Sequence, residues 1–199
     1  MRKKAKLVIF EGCDACGKGT QSRLLVESLA RSGVRAIRVE PTKESNQWAR
    51  KAIYAMLADG RAKQRPHIFQ FIQLFNRLWF QWFCLPRLMR ENDIVVMDRW
   101  ALSGYVYGGV EGINPTLNDF MYSMAKKADL TVVLGGSSYK RAASADSYEK
   151  DALLQSRVKT QYRVMAHVLE NHAFVDNHDP IMDVHDSIMV LLQNKGIIS

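Results

Sequence analysis

The sequence predicts an α/β fold in three layers, a mostly parallel five-stranded sheet with helices on both faces. Two observations predict it. Short apolar runs recur along the chain, and a longer helical stretch separates each from the next. The runs are continuous in apolar character rather than alternating, as strands covered on both faces are. Alternation of this kind also sets where ligands bind, at the carboxyl ends of the strands.

The elements follow in order. Leu7, Val8, Ile9 and Phe10 read as the first strand, ending in a glycine-rich turn. Residues 18–31 read as a helix closed by Gly33. Residues 34–39 form the second strand, stopped by Pro41. Helices are expected over 45–58, ending near Asp59 and Gly60, and over 67–90. Residues 94–97 are the third strand, and Asn114-Pro115 opens another helix with a cap and a first-turn proline. Residues 130–134 are the fourth strand, 149–170 a helix and 173–175 a short last strand. Asp179-Pro180 opens a final helix that ends before Gly196.

The chain has 199 residues, 47% hydrophobic and 24% charged, which suits one filled core and a single domain over 1–199. The basic start is followed by too few apolar residues for a signal-peptide core. No apolar stretch is long enough for a membrane span. Three cysteines cannot build a disulfide framework or a four-cysteine zinc site, so a cytoplasmic location is expected. The net charge of +8 is uneven: residues 1–99 carry 19 Lys and Arg against 9 Asp and Glu. These bases are scattered, which favours small anionic substrates over a stable nucleic-acid partner.

The turn after the first strand carries the chemistry. Gly12-Cys13-Asp14-Ala15-Cys16-Gly17-Lys18 fits G-x-x-x-x-G-K, with a strand before and a helix after. Its glycines let backbone N–H groups curl around a phosphate, and the helix N-terminus adds partial positive charge. Lys18 supplies a full charge to the β- and γ-phosphates of ATP. The fold class is therefore that of the P-loop NTPases. Gly19 stands where Ser or Thr usually holds Mg²⁺, with Thr20 one place later, so the metal is expected to rest mainly on water and phosphates. Cys13 and Cys16 form a C-x-x-C; redox or metal chemistry is one reading, and simple occupation of variable loop positions is the other.

The run from Phe10 to Gln21 resembles the opening of the thymidylate kinases, F-E-G-x-D-x-x-G-K-x-T-Q. Val39-Glu40-Pro41 is similar to the family's R-E-P, with Val39 in place of Arg. Asp98-Arg99-Trp100, then Ser103 and Tyr107, resemble D-R-Y…S-x-x-x-Y, and Phe174-Val175-Asp176 resembles the family's last strand. The resemblance implies that Asp14 contacts the sugar 3′-hydroxyl and Arg99 grips the acceptor phosphate. It places Asp98 near Mg²⁺, through water, and Lys43 where a base can meet the same phosphate. It also implies a homodimer.

Residues 68–83 hold seven aromatics, so this helix should be buried on most sides, by core, partner or both. Gln70, Gln73, Arg77 and Gln81 form one polar stripe on it, which either reads a base or faces solvent. The resemblance makes Arg77 the base-contacting arginine. The family's stacking phenylalanine falls on Gln73, or on Ile72 after a one-residue shift. Tyr139 to Glu149 resembles the family's lid, K-R…D-R-Y-E, so a short lid is expected near 136–150. Ser147 replaces the lid arginine, and Arg141, then Arg157, are the candidates to neutralise charge.

The expected activity is ATP- and Mg²⁺-dependent phosphorylation of a deoxynucleoside 5′-monophosphate, dTMP first. The alternatives are a kinase of another or modified monophosphate, or a non-catalytic nucleotide- or nucleic-acid-binding module.

Overall fold

Strands β1 (Lys6–Gly12), β2 (Ala36–Val39), β3 (Ile94–Asp98), β4 (Leu130–Gly135) and β5 (His172–Asp176) form one sheet in the order β2-β3-β1-β4-β5. Each neighbouring pair is parallel, so the sheet is wholly rather than mostly parallel. The computed structural model describes residues 4–136 and 151–198. The segment expected to form a lid falls, from residue 137 on, outside the described residues, and Arg141 with it.

Strand geometry divides the core. Successive side chains point to opposite faces. Val8, Phe10 and Val96 join a core with Leu25, Leu29 and Ile188. Leu7, Ile9, Val95 and Met97 join a second with Phe80, Leu85 and Trp100. Both faces of β1 and β3 are thus covered, which is why their sequences show no alternation.

The helices are α1 (Lys18–Arg31), α2 (Pro41–Glu44), α3 (Gln47–Ala58), α4 (Arg61–Gln64), α5 (Pro66–Phe83), α6 (Leu85–Glu91), α7 (Ala101–Val110), α8 (Pro115–Ser123), α9 (Ala152–Val168) and α10 (Ile181–Asn194). Side-chain caps set several starts. Asn46 accepts from Ala49 N at 3.1 Å, Asn114 from Leu117 N at 3.2 Å and Asp151 from Leu154 N at 2.9 Å. These caps place the starts of α3 and α9 two and three residues later than the sequence pattern suggests.

Three expectations need correction. The helix expected over 67–90 is two, broken around Cys84, with Pro86 in the first turn of α6. Proline has no N–H to donate, and its ring clashes with the carbonyl four residues back. The second strand begins at Ala36 because Val34 N still bonds to Leu29 O, closing α1. The third is narrower: within the single chain, the core does not bury α5 on most sides. Phe71, Phe75, Trp82 and Phe83 are exposed on it, as is Trp48 on α3. Trp48 meets Phe75 edge-on at 6.2 Å. None of the helices among the described residues is long and apolar enough to cross a membrane.

Candidate active site

The loop between β1 and α1 is built from backbone. Gly12 and Gly17 have φ of 137° and 87°, and Ala15 also lies at positive φ. Gly17 caps α1 without any side-chain hydrogen bond, so the first N–H groups of the helix are left to a ligand. Gly12 has no room for more than a hydrogen: a Cβ there would stand 2.4 Å from Leu134 O. Lys18 is buried, and its Nζ donates to Cys13 O at 2.6 Å and Gly12 O at 3.2 Å. From behind, Asn177 Nδ2 donates to Cys16 O at 2.8 Å, tying the loop to the end of β5.

Cys13 and Cys16 are both buried beneath this loop. Among the described residues, no group of three or more metal-ligating side chains exists, so the C-x-x-C has no partners for a metal there. The hydrogen bond between the two thiols splits them. It lowers the Cys16 pKa against burial, with help from Lys18 and Arg99, and raises that of Cys13.

Glu11, one residue before the loop, is wholly buried. Its Oε1 accepts from Trp100 N at 2.7 Å and Ser103 N at 3.2 Å, at the start of α7. Its Oε2 accepts from Ser103 Oγ at 2.6 Å and Tyr162 Oη at 3.1 Å. A carboxylate at a helix N-terminus is favoured by the orphan amides there. That contact explains a helix with Gly104, Gly108 and Gly109, which propensity alone would not predict.

Arg99 follows β3 with φ 68°, a conformation that costs a non-glycine residue energy. The turn aims its guanidinium at the loop. Nη1 donates to Gly12 O at 3.0 Å and Ser103 Oγ at 3.2 Å, and Nη2 donates to Asp14 Oδ1. Asp14 Oδ2 accepts from Tyr107 Oη at 2.8 Å and Gln155 Nε2 at 3.0 Å. Burial pushes the Asp14 carboxyl up, but Arg99, Lys18 and these hydrogen bonds outweigh it and hold its pKa below the usual value. Burial pulls Arg99 down, but Asp14 foremost keeps it well above its ordinary value.

One cavity of about 750 Å³ joins these groups. Asp14 to Thr20 line it, as do Asp98, Arg99, Ser103 and Tyr107. Lys43, Gln73 and Arg77 line it too, so every sequence-predicted substrate residue faces the same space. Lys43 is more than half exposed and pairs with Glu40 at 2.5 Å. The polar stripe of α5 divides. Gln70, Gln73 and Arg77 reach the cavity, whereas Gln81 does not; its Nε2 donates to Met124 O at 3.2 Å and its Oε1 accepts from Lys126 N.

Sequence reasoning missed several residues. Arg38 donates to Asp98 Oδ2 at 2.7 Å, pairs with Glu40 Oε1 at 2.9 Å and donates to Ser22 Oγ at 2.8 Å. Strand alternation could have found it, since it points opposite to buried Val39. Phe69, one turn before Gln73, puts an aromatic ring in the cavity wall with Ile53 and Tyr54. Gln155 and Tyr162 come from α9 and carried no signal of their own. Arg157 is exposed and does not line the cavity.

A loop made to grip a phosphate, facing a second cationic wall across one cavity, is the layout of a P-loop phosphotransferase. Comparison with known proteins gives the family. The model of the thymidylate kinase family matches residues 10–188, and the chain belongs to that family. A human thymidylate kinase is 24% identical over 203 residues, covering 96% of this chain and 92% of its own. Among solved structures, a thymidylate kinase from Candida albicans, described as revealing the origin of broad substrate specificity, superposes with a TM-score of 0.80 at 19% identity. That match covers 99% of this chain and 95% of the other. A thymidylate kinase from Ehrlichia chaffeensis superposes at 0.72 with 22% identity, over 96% of this chain and all of the other. At these identities the superpositions establish the fold.

Burial of the two loop cysteines sets a test of the site's packing. In the native protein, Cys84 should react first with an aromatic disulfide reagent, and Cys13 and Cys16 only after denaturant is added. Three thiols reacting at one fast rate without denaturant would contradict the closed loop.

Proposed function

We propose that this chain transfers the γ-phosphoryl group of ATP to a deoxynucleoside 5′-monophosphate, dTMP first, giving ADP and the diphosphate. The observation that carries this reading is the one cavity lined both by the phosphate loop and by Arg99, Lys43 and Arg77. An oxygen of the acceptor phosphate attacks the γ-phosphorus, and the bond to the β–γ bridging oxygen breaks. Such transfer rests on positioning and charge neutralisation.

The residues take these roles. Loop N–H groups from Gly12 to Thr20 and Lys18 hold the ATP phosphates. Arg99 grips the acceptor phosphate, aided by Lys43 at the cavity edge. Asp14 takes the sugar 3′-hydroxyl; a carboxylate has about four lone-pair sites, and Arg99, Tyr107 and Gln155 fill three. Ser103 and Tyr107 fix Arg99 and Asp14 in turn. Arg77 and Gln73 meet the base, and Arg141, in segment 137–150, supplies lid charge.

The donor set fits magnesium carried in on ATP. Gly19 offers no side-chain oxygen, and Asp98 Oδ2 is engaged by Arg38, so Asp98 would reach the ion through water. When bound, the ion neutralises phosphate charge. The exposed aromatics of α3 and α5 suit a second copy of this chain, so we infer a homodimer, and three free thiols fit a reducing, cytoplasmic setting. Light scattering should give about twice the 22.7 kDa chain mass, and a monomer at micromolar concentration would contradict it.

A second reading keeps the chemistry and changes the base. It is favoured by Gln73 in the cavity wall, where the family stacks an aromatic ring. ADP release should be measured with dTMP, dUMP, dGMP, dAMP and dCMP. The highest kcat/KM is expected with dTMP; another winner would favour the second reading, and no stimulation by any acceptor would contradict both. Lys18→Ala should fold and lose about 100-fold or more in kcat, roughly 3 kcal/mol. Near-normal turnover in that variant would reject the mechanism.

A further inference from the structure

Arg77 differs from Arg99 and Arg38 in how it is held. Arg99 is clamped by Asp14, and Arg38 by Asp98 and Glu40. No carboxylate among the described residues pairs with Arg77. Arg77 is half-buried, its guanidinium resting against α7, and desolvation pulls its pKa down. Its position must therefore come from packing.

The packing partner is Gly104. A Cβ at position 104 would stand 2.5 Å from Arg77 Nη1, 3.2 Å from Cζ and 3.5 Å from Nη2. Gly104 lies inside α7 and is not among the positive-φ residues, so the backbone does not require glycine there. Glycine inside a helix is less stable than alanine. The fold gains nothing from it locally; what it provides is a space on the α7 surface that the guanidinium fills.

We infer that Gly104 is a positioning residue for the acceptor base: its missing side chain sets where the Arg77 guanidinium stands, and so where it meets a base oxygen. The inference rests on the reading of Arg77 as a base contact. An alanine methyl would collide with the end of a flexible side chain rather than with backbone. The arginine would swing away at little cost to folding, but its hydrogen bond to the base would be lost. Gly104 thus acts on acceptor binding and not on ATP.

The test is a cycle of Gly104→Ala, Arg77→Ala and the double variant, read by KM for dTMP, KM for ATP and Tm. Gly104→Ala should raise the dTMP KM about tenfold, a typical loss for one oriented hydrogen bond. Its ATP KM should stay within about twofold, and its Tm should equal or exceed the parent's, as helix propensity favours alanine. The double variant should match Arg77→Ala, because the glycine acts only through the arginine. An unmoved dTMP KM in Gly104→Ala, with a raised one in Arg77→Ala, would overturn the inference alone. Penalties that multiply in the double variant, or a lower Tm with both KM values raised, would also overturn it. An unmoved dTMP KM in Arg77→Ala would overturn the base-contact reading and the inference together.

Discussion

Glu11 is a carboxylate with no accessible surface, at the end of the central strand, and the site is assembled around it. Burying an ionised carboxylate costs several kcal/mol unless hydrogen bonds and nearby positive charge offset it. Here the amides of Trp100 and Ser103 and the hydroxyls of Ser103 and Tyr162 converge on it. Those donors belong to the turn after β3, to α7 and to α9. One buried charge therefore fixes three elements against the end of β1, where the phosphate loop begins.

The remaining polar groups build outward from that hub. Ser103 and Tyr162 accept from Arg99 Nη1 while donating to Glu11. Arg99 then holds Asp14, and Asp14 is shared with Tyr107 and Gln155. Each group is oriented by the one beneath it. The φ of 68° at Arg99 is the strained point of the chain of contacts. Its conformation is held by a backbone bond to Phe10 O at 2.9 Å and by the guanidinium contacts at the far end of the side chain. Further from the hub the restraint weakens: Lys43 is largely exposed, and Arg77 is held by shape alone.

Much of this could be read from the sequence. The strands showed because they are continuous apolar runs, and the phosphate loop because its glycines and lysine have fixed spacing. Asp14, Asp98, Arg99, Ser103 and Tyr107 stood in ordered motifs and do line one cavity. What escaped was tertiary. The helix α7 is rich in glycine and forms on a buried acid, which no local pattern reports. Arg38 substitutes for nothing in the motif it adjoins, yet reaches Asp98 by strand alternation. Gln155 and Tyr162 are ordinary polar and aromatic positions of an amphipathic helix until α9 is docked on the loop. The α5 stripe looked uniform because helical spacing cannot tell a cavity wall from a capping contact such as that of Gln81.

The central claim is that the negative charge of Glu11, and not merely its shape, holds these elements together. Urea unfolding of Glu11→Gln measures it most directly. The amide keeps the volume, but its NH₂ must compete with Arg99 for the Ser103 and Tyr162 hydroxyls, and the part-buried guanidinium loses a nearby anion. The predicted result is a lower midpoint with an unchanged slope, a loss of about 3 kcal/mol. A midpoint equal to the parent's would contradict the account.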